Sequence, residues 1–236
     1  MPSSPQSPAR GPLFVLYGGT FDPVHDGHLA IARAARDLLQ ATIRLMPAAD
    51  PPHRAPPGAT ADQRAGMLDL AVAGEPGLCV DRRELRRNGR SYSIDTLLEL
   101  RAELGGDAPV ALLVGADSFV DLPDWHRWRE LFELVHFVVA QRPGSPLDHD
   151  LRPELAAALH GRWCATPEAL REAPSGRVLQ LRQPLHDESA TWIRARIAAG
   201  EPWRDQVPAP VAEYIERHLL YLNGDESRGP AAPPRL

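Results

Sequence analysis

An α/β fold is encoded in this sequence of 236 residues: a doubly wound, mostly parallel sheet with a small C-terminal helical cap. Three observations predict it. Short apolar or β-branched runs alternate with helix-length amphipathic patterns along most of the chain. A Gly18-Gly19 pair joins the first run to the first helical pattern. Two further helical patterns follow the last run and have no strand after them.

Residues 1–12 are rich in Pro and Ser and read as a flexible lead-in, 13–222 as one domain, and 223–236 as a flexible tail with little to bury. The expected strands are Leu13 to Tyr17, Thr42 to Met46, Leu78 to Val80, Val110 to Val114, His136 to Ala140 and Val178 to Leu181. Leu29, Ala32, Ala35, Leu38 and Leu39 form the stripe of a first helix, and Met67, Leu68, Ala71 and Val72 that of a second. Ile94, Leu97, Leu98, Leu100 and Leu104 form a third, and each stripe can cover a sheet face. Ile193, Ile197, Val211, Tyr214, Ile215, Leu219 and Leu222 predict two last helices separated by Pro208 and Pro210. The second of these is the C-terminal cap. The stretch Pro47 to Gly58 is too rich in Pro for a regular element and reads as a loop. It leaves a strand at the carboxyl edge of the sheet, where open α/β sheets bind ligands.

Composition narrows the function. Hydrophobic residues make up 43% and charged residues 24% of the chain, enough for a proper core. The net charge of -5 supplies no basic footprint for a nucleic-acid backbone. No run approaches the length needed to span a bilayer, and the first residues lack a signal-type apolar core. Cys79 and Cys164 are too few for a disulfide framework, which fits a reducing cytoplasm. All 26 basic residues are Arg, so mechanisms that need a lysine (a Walker A loop, a protein kinase, a pyridoxal Schiff base) are excluded.

The chemistry concentrates in G-G-T-F-D-P-V-H-D-G-H, residues 18–28. Gly18 and Gly19 are expected where the backbone turns sharply and lets a ligand approach. The helix beginning near Gly27 aims its free N–H groups at the same space, which favours an anion such as phosphate. The spacing does not match G-x-G-x-x-G, which argues against a hydride-transfer enzyme. His25 and His28, three apart across the helix start, can both reach one phosphate. Ser189 is a good N-cap for a second helix, and Arg194 with Arg196 places guanidinium groups near its first turn. Trp125 and Trp128 are spaced as core residues of one helix. The run Asp81-Arg82-Arg83-Glu84-Leu85-Arg86-Arg87 reads mostly as a solvated mixed-charge face.

The first motif resembles the T/H-x-G-H signature of the nucleotidylyltransferase superfamily. The ordered set that follows resembles bacterial nicotinate mononucleotide adenylyltransferases. It comprises Pro51-Pro52-His53-Arg54, Glu84 to Ser93 running into Asp95-Thr96-Leu97, Gly115-Ala116-Asp117-Ser118, the Trp125 segment, Arg142-Pro143-Gly144 and Ser189 to Arg194. The likeness covers roughly Leu13 to Leu222. Ser93 stands where that family usually has Thr, His126 where an aromatic is common, and Glu188 where an apolar residue is usual.

This resemblance implies a Rossmann-like nucleotidylyltransferase fold and adenylyl transfer from ATP to nicotinate mononucleotide, a step of NAD biosynthesis. It implies ATP contacts from Gly18, Gly19, Thr20, Phe21, His25, His28, Asp117, Ser189, Thr191 and Arg194, with His25, His28 and Arg194 catalytic. It implies mononucleotide contacts from Gly19, Thr20, His53, Ser93, Trp125, His126 and Arg142. Mg²⁺ would ride on the ATP phosphates, with no metal ligand from the chain. The partners expected are the two small substrates, with no nucleic acid or membrane; a homo-oligomer is left open. The alternatives are a pantetheine-phosphate adenylyltransferase, which shares the first motif, and a nucleotide-binding regulator without turnover.

Overall fold

The computed structural model describes residues 11–49, 58–87, 89–141, 151–182 and 189–222. Among these residues, seven strands form one sheet: β1 (Phe14–Gly19), β2 (Ile43–Pro47), β3 (Leu78–Val80), β4 (Val110–Gly115), β5 (His136–Gln141), β6 (Trp163–Cys164) and β7 (Val178–Arg182). Their order is β3-β2-β1-β4-β5-β7-β6, and every pairing is parallel. Parallel neighbours require crossovers, and helices supply them. They are α1 (Asp26–Leu39), α2 (Ala61–Val72), α3 (Ser93–Leu104), α4 (Ala116–Val120), α5 (Trp128–Leu134), α6 (Pro153–Leu159), α7 (Ala190–Ala199) and α8 (Ala209–Arg217).

Side chains on a strand alternate between faces, so the sheet feeds two cores. Val15, Tyr17, Ile43 and Leu45 pack with Leu29, Ala32, Met67, Leu68, Ile193, Val211 and Ile215. Leu16, Met46, Leu112 and Val114 pack on the other face with Leu97, Leu100, Phe119, Leu131 and Phe132. The sheet is therefore doubly wound, and α8 packs on α2 at one end. Strand order reverses direction between β1 and β4, the switch point where such sheets bind ligands.

The helix starts follow local chemistry. Thr60 Oγ1 accepts from the Gln63 N–H at 3.2 Å while Gln63 Oε1 accepts from the Thr60 N–H at 2.9 Å, a capping box that opens α2. Ser189 caps α7 by accepting from the Trp192 N–H at 3.3 Å.

Several expectations are corrected. The strand β1 continues through Gly18 and Gly19, which pair with Met46 and Pro47, so the sharp turn falls later, at Phe21 with φ of 51°. The strand β6 and the helices α4 and α6 have no counterpart among the expected elements, being too short to show a period, and the helix expected to carry both Trp125 and Trp128 begins only at Trp128, as α5. Leu219 and Leu222 are 70% and 52% exposed because they lie beyond the end of α8, where helical spacing no longer applies. Leu38, Leu98 and Leu104 are exposed at the edges of their stripes. Pro210 sits in the first turn of α8 rather than between helices, where its missing N–H costs nothing.

Candidate active site

The carboxyl ends of β1 and β4 open onto a cavity of about 480 Å³. Its lining includes Gly18, Gly19 and Thr20 together with Ser93, Trp125 and His126; His25, His28, Asp117, Ser189, Thr191 and Arg194 are not part of it. Trp125 ends a 3₁₀ turn (Leu122–Asp124) and is half-buried, whereas Trp128 begins α5 and is buried in the core. The two tryptophans thus lie in different elements, and only Trp125 faces the cavity. His126 is exposed, with its ring 4.9 Å from that of Tyr92. Ser93 is the first residue of α3, so the partial positive charge of that helix start faces the same space.

At the head of α1 the rings of His25 and His28 lie 3.7 Å apart, inclined by 31°. His28 Nδ1 accepts from the His25 backbone N–H at 3.3 Å. That bond assigns the neutral-ring proton to Nε2, making it a donor. Phe21 is buried between Tyr17 and His28, with ring centroids 5.5 and 5.0 Å away. Arg194 of α7 donates from Nη1 to the Asp22 carbonyl at 2.6 Å and from Nη2 to Thr191 Oγ1 at 3.4 Å. The second helix start is thereby tied to the β1–α1 turn, three residues before His25. Asp117 is exposed in the first turn of α4, just past the end of β4.

Arg196 is a correction: it pairs with Glu201 at 3.3 Å and stacks on Trp192, away from any anion site at the helix start. His53, Arg142 and Glu188 lie outside the described residues.

The run Asp81–Arg87 is also different from a solvated face. Arg83 is buried and pairs with Asp81 at 3.0 Å and Glu103 at 3.3 Å. Glu84 is 4% exposed, lines the cavity, and accepts from Thr96 Oγ1 at 2.7 Å. Burial pushes its carboxyl pKa up, while hydrogen bonds from Thr96 and Ser91 pull it back. Ser91 in turn accepts from the Ala49 N–H at 2.9 Å, linking the end of β2 to the start of α3. This carboxylate is the residue sequence reasoning missed; only an apolar partner pattern would have marked it, and its neighbours are charged.

A parallel sheet with two helix starts facing one turn at its switch point belongs to the nucleotide-binding α/β enzymes. The family model for cytidylyltransferase-like proteins matches residues 16–196. A protein of Stenotrophomonas maltophilia called a probable nicotinate-nucleotide adenylyltransferase is 59% identical over 214 residues, 89% of this chain and 96% of its own. One of the same description from Marinobacter nauticus is 44% identical over 210 residues, again 89% and 96%. The solved nicotinic acid mononucleotide adenylyltransferase of Plasmodium falciparum, complexed with NaAD, matches with a TM-score of 0.68. It shares 14% identity, over 92% of this chain and 100% of its own, a likeness of fold. The chain belongs to the cytidylyltransferase-like family, in its nicotinate-nucleotide adenylyltransferase branch.

Among the described residues, no helix is long and apolar enough to cross a membrane.

Proposed function

We propose that this chain transfers the adenylyl group of ATP to nicotinate mononucleotide, giving nicotinate adenine dinucleotide and pyrophosphate. The observation that supports it best is the cavity at the carboxyl ends of β1 and β4, lined by Gly18, Gly19 and Thr20 and by Ser93, Trp125 and His126 at the α3 start, with the starts of α1 and α7 meeting at the β1–α1 turn that follows Gly19. Its volume suits a mononucleotide.

The mononucleotide phosphate has a second pKa near 6 and is largely dianionic at pH 7. It attacks the α-phosphorus of ATP in line; the bond to the bridging oxygen breaks and pyrophosphate leaves with the electron pair. No proton has to move, so alignment and charge stabilisation carry the catalysis. His28 Nε2–H donates to the reacting phosphate, with His25 beside it. Arg194 and the capped start of α7 at Ser189 and Thr191 hold the departing pyrophosphate. Asp117 meets the ATP nucleoside, and Gly18, Gly19 and Thr20 offer backbone to both substrates. Mg²⁺ enters as part of the ATP substrate, on its phosphates.

Trp125 stacks on the pyridine ring. The helix start at Ser93 favours a carboxylate over a neutral amide, which gives nicotinate its advantage. His126, His53 and Arg142 complete the mononucleotide site in this reading. A cytoplasmic location goes with it, in keeping with two unpaired thiols, Cys79 and Cys164.

Pyrophosphate release with MgATP, measured in parallel with nicotinate mononucleotide, nicotinamide mononucleotide and phosphopantetheine, tests the assignment. Fast turnover with the acid and weak turnover with the amide is expected. Equal turnover of acid and amide would discard the role of Ser93, and turnover of phosphopantetheine alone would overturn the substrate. Tight ATP binding without turnover of any acceptor would indicate a regulator instead.

A further inference from the structure

Behind the β1–α1 turn, two backbone N–H groups and two side chains from distant parts of the chain converge on one carboxylate. Asp22 is 4% exposed; its carboxylate accepts from the N–H groups of Gly58 at 2.8 Å and Ala59 at 3.1 Å. The hydroxyl of Tyr221, past the end of α8, donates to the same carboxylate at 2.7 Å. Arg64 of α2, fully buried, donates to the carbonyls of Thr20 at 2.7 Å, Ala49 at 3.1 Å and Ala59 at 3.3 Å. Arg194 donates to the Asp22 carbonyl, and its Nη1 lies 3.7 Å from Asp22 Oδ2.

The backbone shows that this arrangement is held against resistance. Phe21 and Tyr221, next to and opposite Asp22, both have left-handed backbone, with φ of 51° and 64°. Aromatic residues rarely adopt it unless the surroundings impose it. Burial and the neighbouring carboxylate also raise the Tyr221 phenol pKa, so the hydroxyl remains a donor at all working pH values.

The hydroxyl has a consequence for Arg194. An Asp22 carboxylate short of one donor would draw the nearest guanidinium inward, and that is Arg194. With Tyr221 in place, Asp22 is satisfied and Arg194 keeps N–H groups for a ligand.

We propose that Tyr221 is a positioning residue for ATP, acting through Asp22 to hold the β1–α1 turn and Arg194 in the arrangement that grips the phosphates. This rests on the reading that Arg194 binds the ATP phosphates. Tyr221→Phe keeps the ring, which packs against Gly58, and removes only the hydroxyl. Gly58→Ala attacks the same contact from the other side, because its Cβ would lie 2.9 Å from Tyr221 Cδ1.

The test is steady-state kinetics with both substrates on the full chain, with melting temperatures, for Tyr221→Phe, Gly58→Ala, Arg194→Ala and the Tyr221→Phe/Arg194→Ala double variant. For Tyr221→Phe the KM for ATP rises about fivefold or more, while the KM for nicotinate mononucleotide stays near the parent value. Gly58→Ala shifts the same ratio in the same direction. In the Arg194→Ala background, Tyr221→Phe adds nothing, because its effect passes through that guanidinium. A fall in melting temperature alone, an equal rise in both KM values, or full additivity would overturn the proposal. If Arg194→Ala itself leaves the KM for ATP unchanged, the phosphate-site reading fails and the proposal with it. A strong Arg194→Ala beside a silent Tyr221→Phe removes only the proposal.

Discussion

The far end of the Phe21 ring closes against Gly19: a Cβ built on Gly19 would sit 2.9 Å from Phe21 Cζ. At Gly18 the same atom would meet only Met46 Cε at 3.7 Å and Leu112 Cδ1 at 3.9 Å. The second glycine is therefore required by its own chain's folding back, and the first is not. Gly19→Ala must displace a buried ring that also packs on His28, at a cost of about 1–3 kcal/mol in stability. Gly18→Ala should cost less than about 1 kcal/mol. Denaturant melts of the two variants check the order, and equal losses would contradict it.

Trp125 and Trp128 should separate into different phenotypes. Trp125→Ala removes a stacking face and raises the KM for nicotinate mononucleotide about threefold to tenfold, with a modest change in stability. Trp128→Ala empties a core position and costs about 3–5 kcal/mol. A kinetic effect from Trp128 alone would reverse their roles.

His28→Ala should lower kcat by at least about 10²-fold, the usual loss for one preorganised donor. Arg82→Ala should leave turnover nearly unchanged: Arg82 pairs with Asp69 on an exposed surface, where such bonds contribute little. Small and equal effects would remove His28 from the reaction.

Glu84 sets a pH dependence. Its folded pKa lies above the unfolded value, so the folded state binds its proton more tightly. Its contribution is most favourable below the unfolded pKa of about 4.3 and declines as pH rises through the folded value. Glu84→Gln, whose Oε1 still accepts from Thr96, should gain stability relative to the parent at pH 7, and the gain should vanish below about pH 4. Melting temperatures of both proteins from about pH 3 to 8 decide it; a difference independent of pH would refute the burial argument.

His136 works in the opposite sense. Fully buried, it accepts the Arg177 N–H on Nδ1 at 3.0 Å and places Nε2 3.0 Å from the Ala173 carbonyl. Burial lowers its pKa, so its stabilising contribution is complete above the unfolded value of about 6.5 and is lost as pH falls from there toward the folded value. His136→Asn, whose Oδ1 can take the Arg177 N–H, should lower stability overall yet flatten the decline between pH 7.5 and 5. An unchanged slope would show that other groups cause it.

The six longer strands, the helix stripes and the helix starts near Gly27 and at Ser189 were legible from local pattern, because periodicity and capping are properties of neighbouring residues. The lack of lysine and the acidic balance were equally legible, and they removed whole classes of chemistry. Chain pattern could not separate Trp125 from Trp128, since the same spacing serves a helix face or two adjoining elements; packing of α5 decided it. Arg196 was lost to Glu201 and Trp192 for the same reason. The burial of Glu84, Arg64 and Asp22 was invisible because charged residues enter a core only when partners from remote segments meet them. Tyr221 and Asp22 are 199 positions apart, and nothing short of the assembled sheet, with α2, α7 and α8 on one face, brings their side chains to a single hydrogen bond.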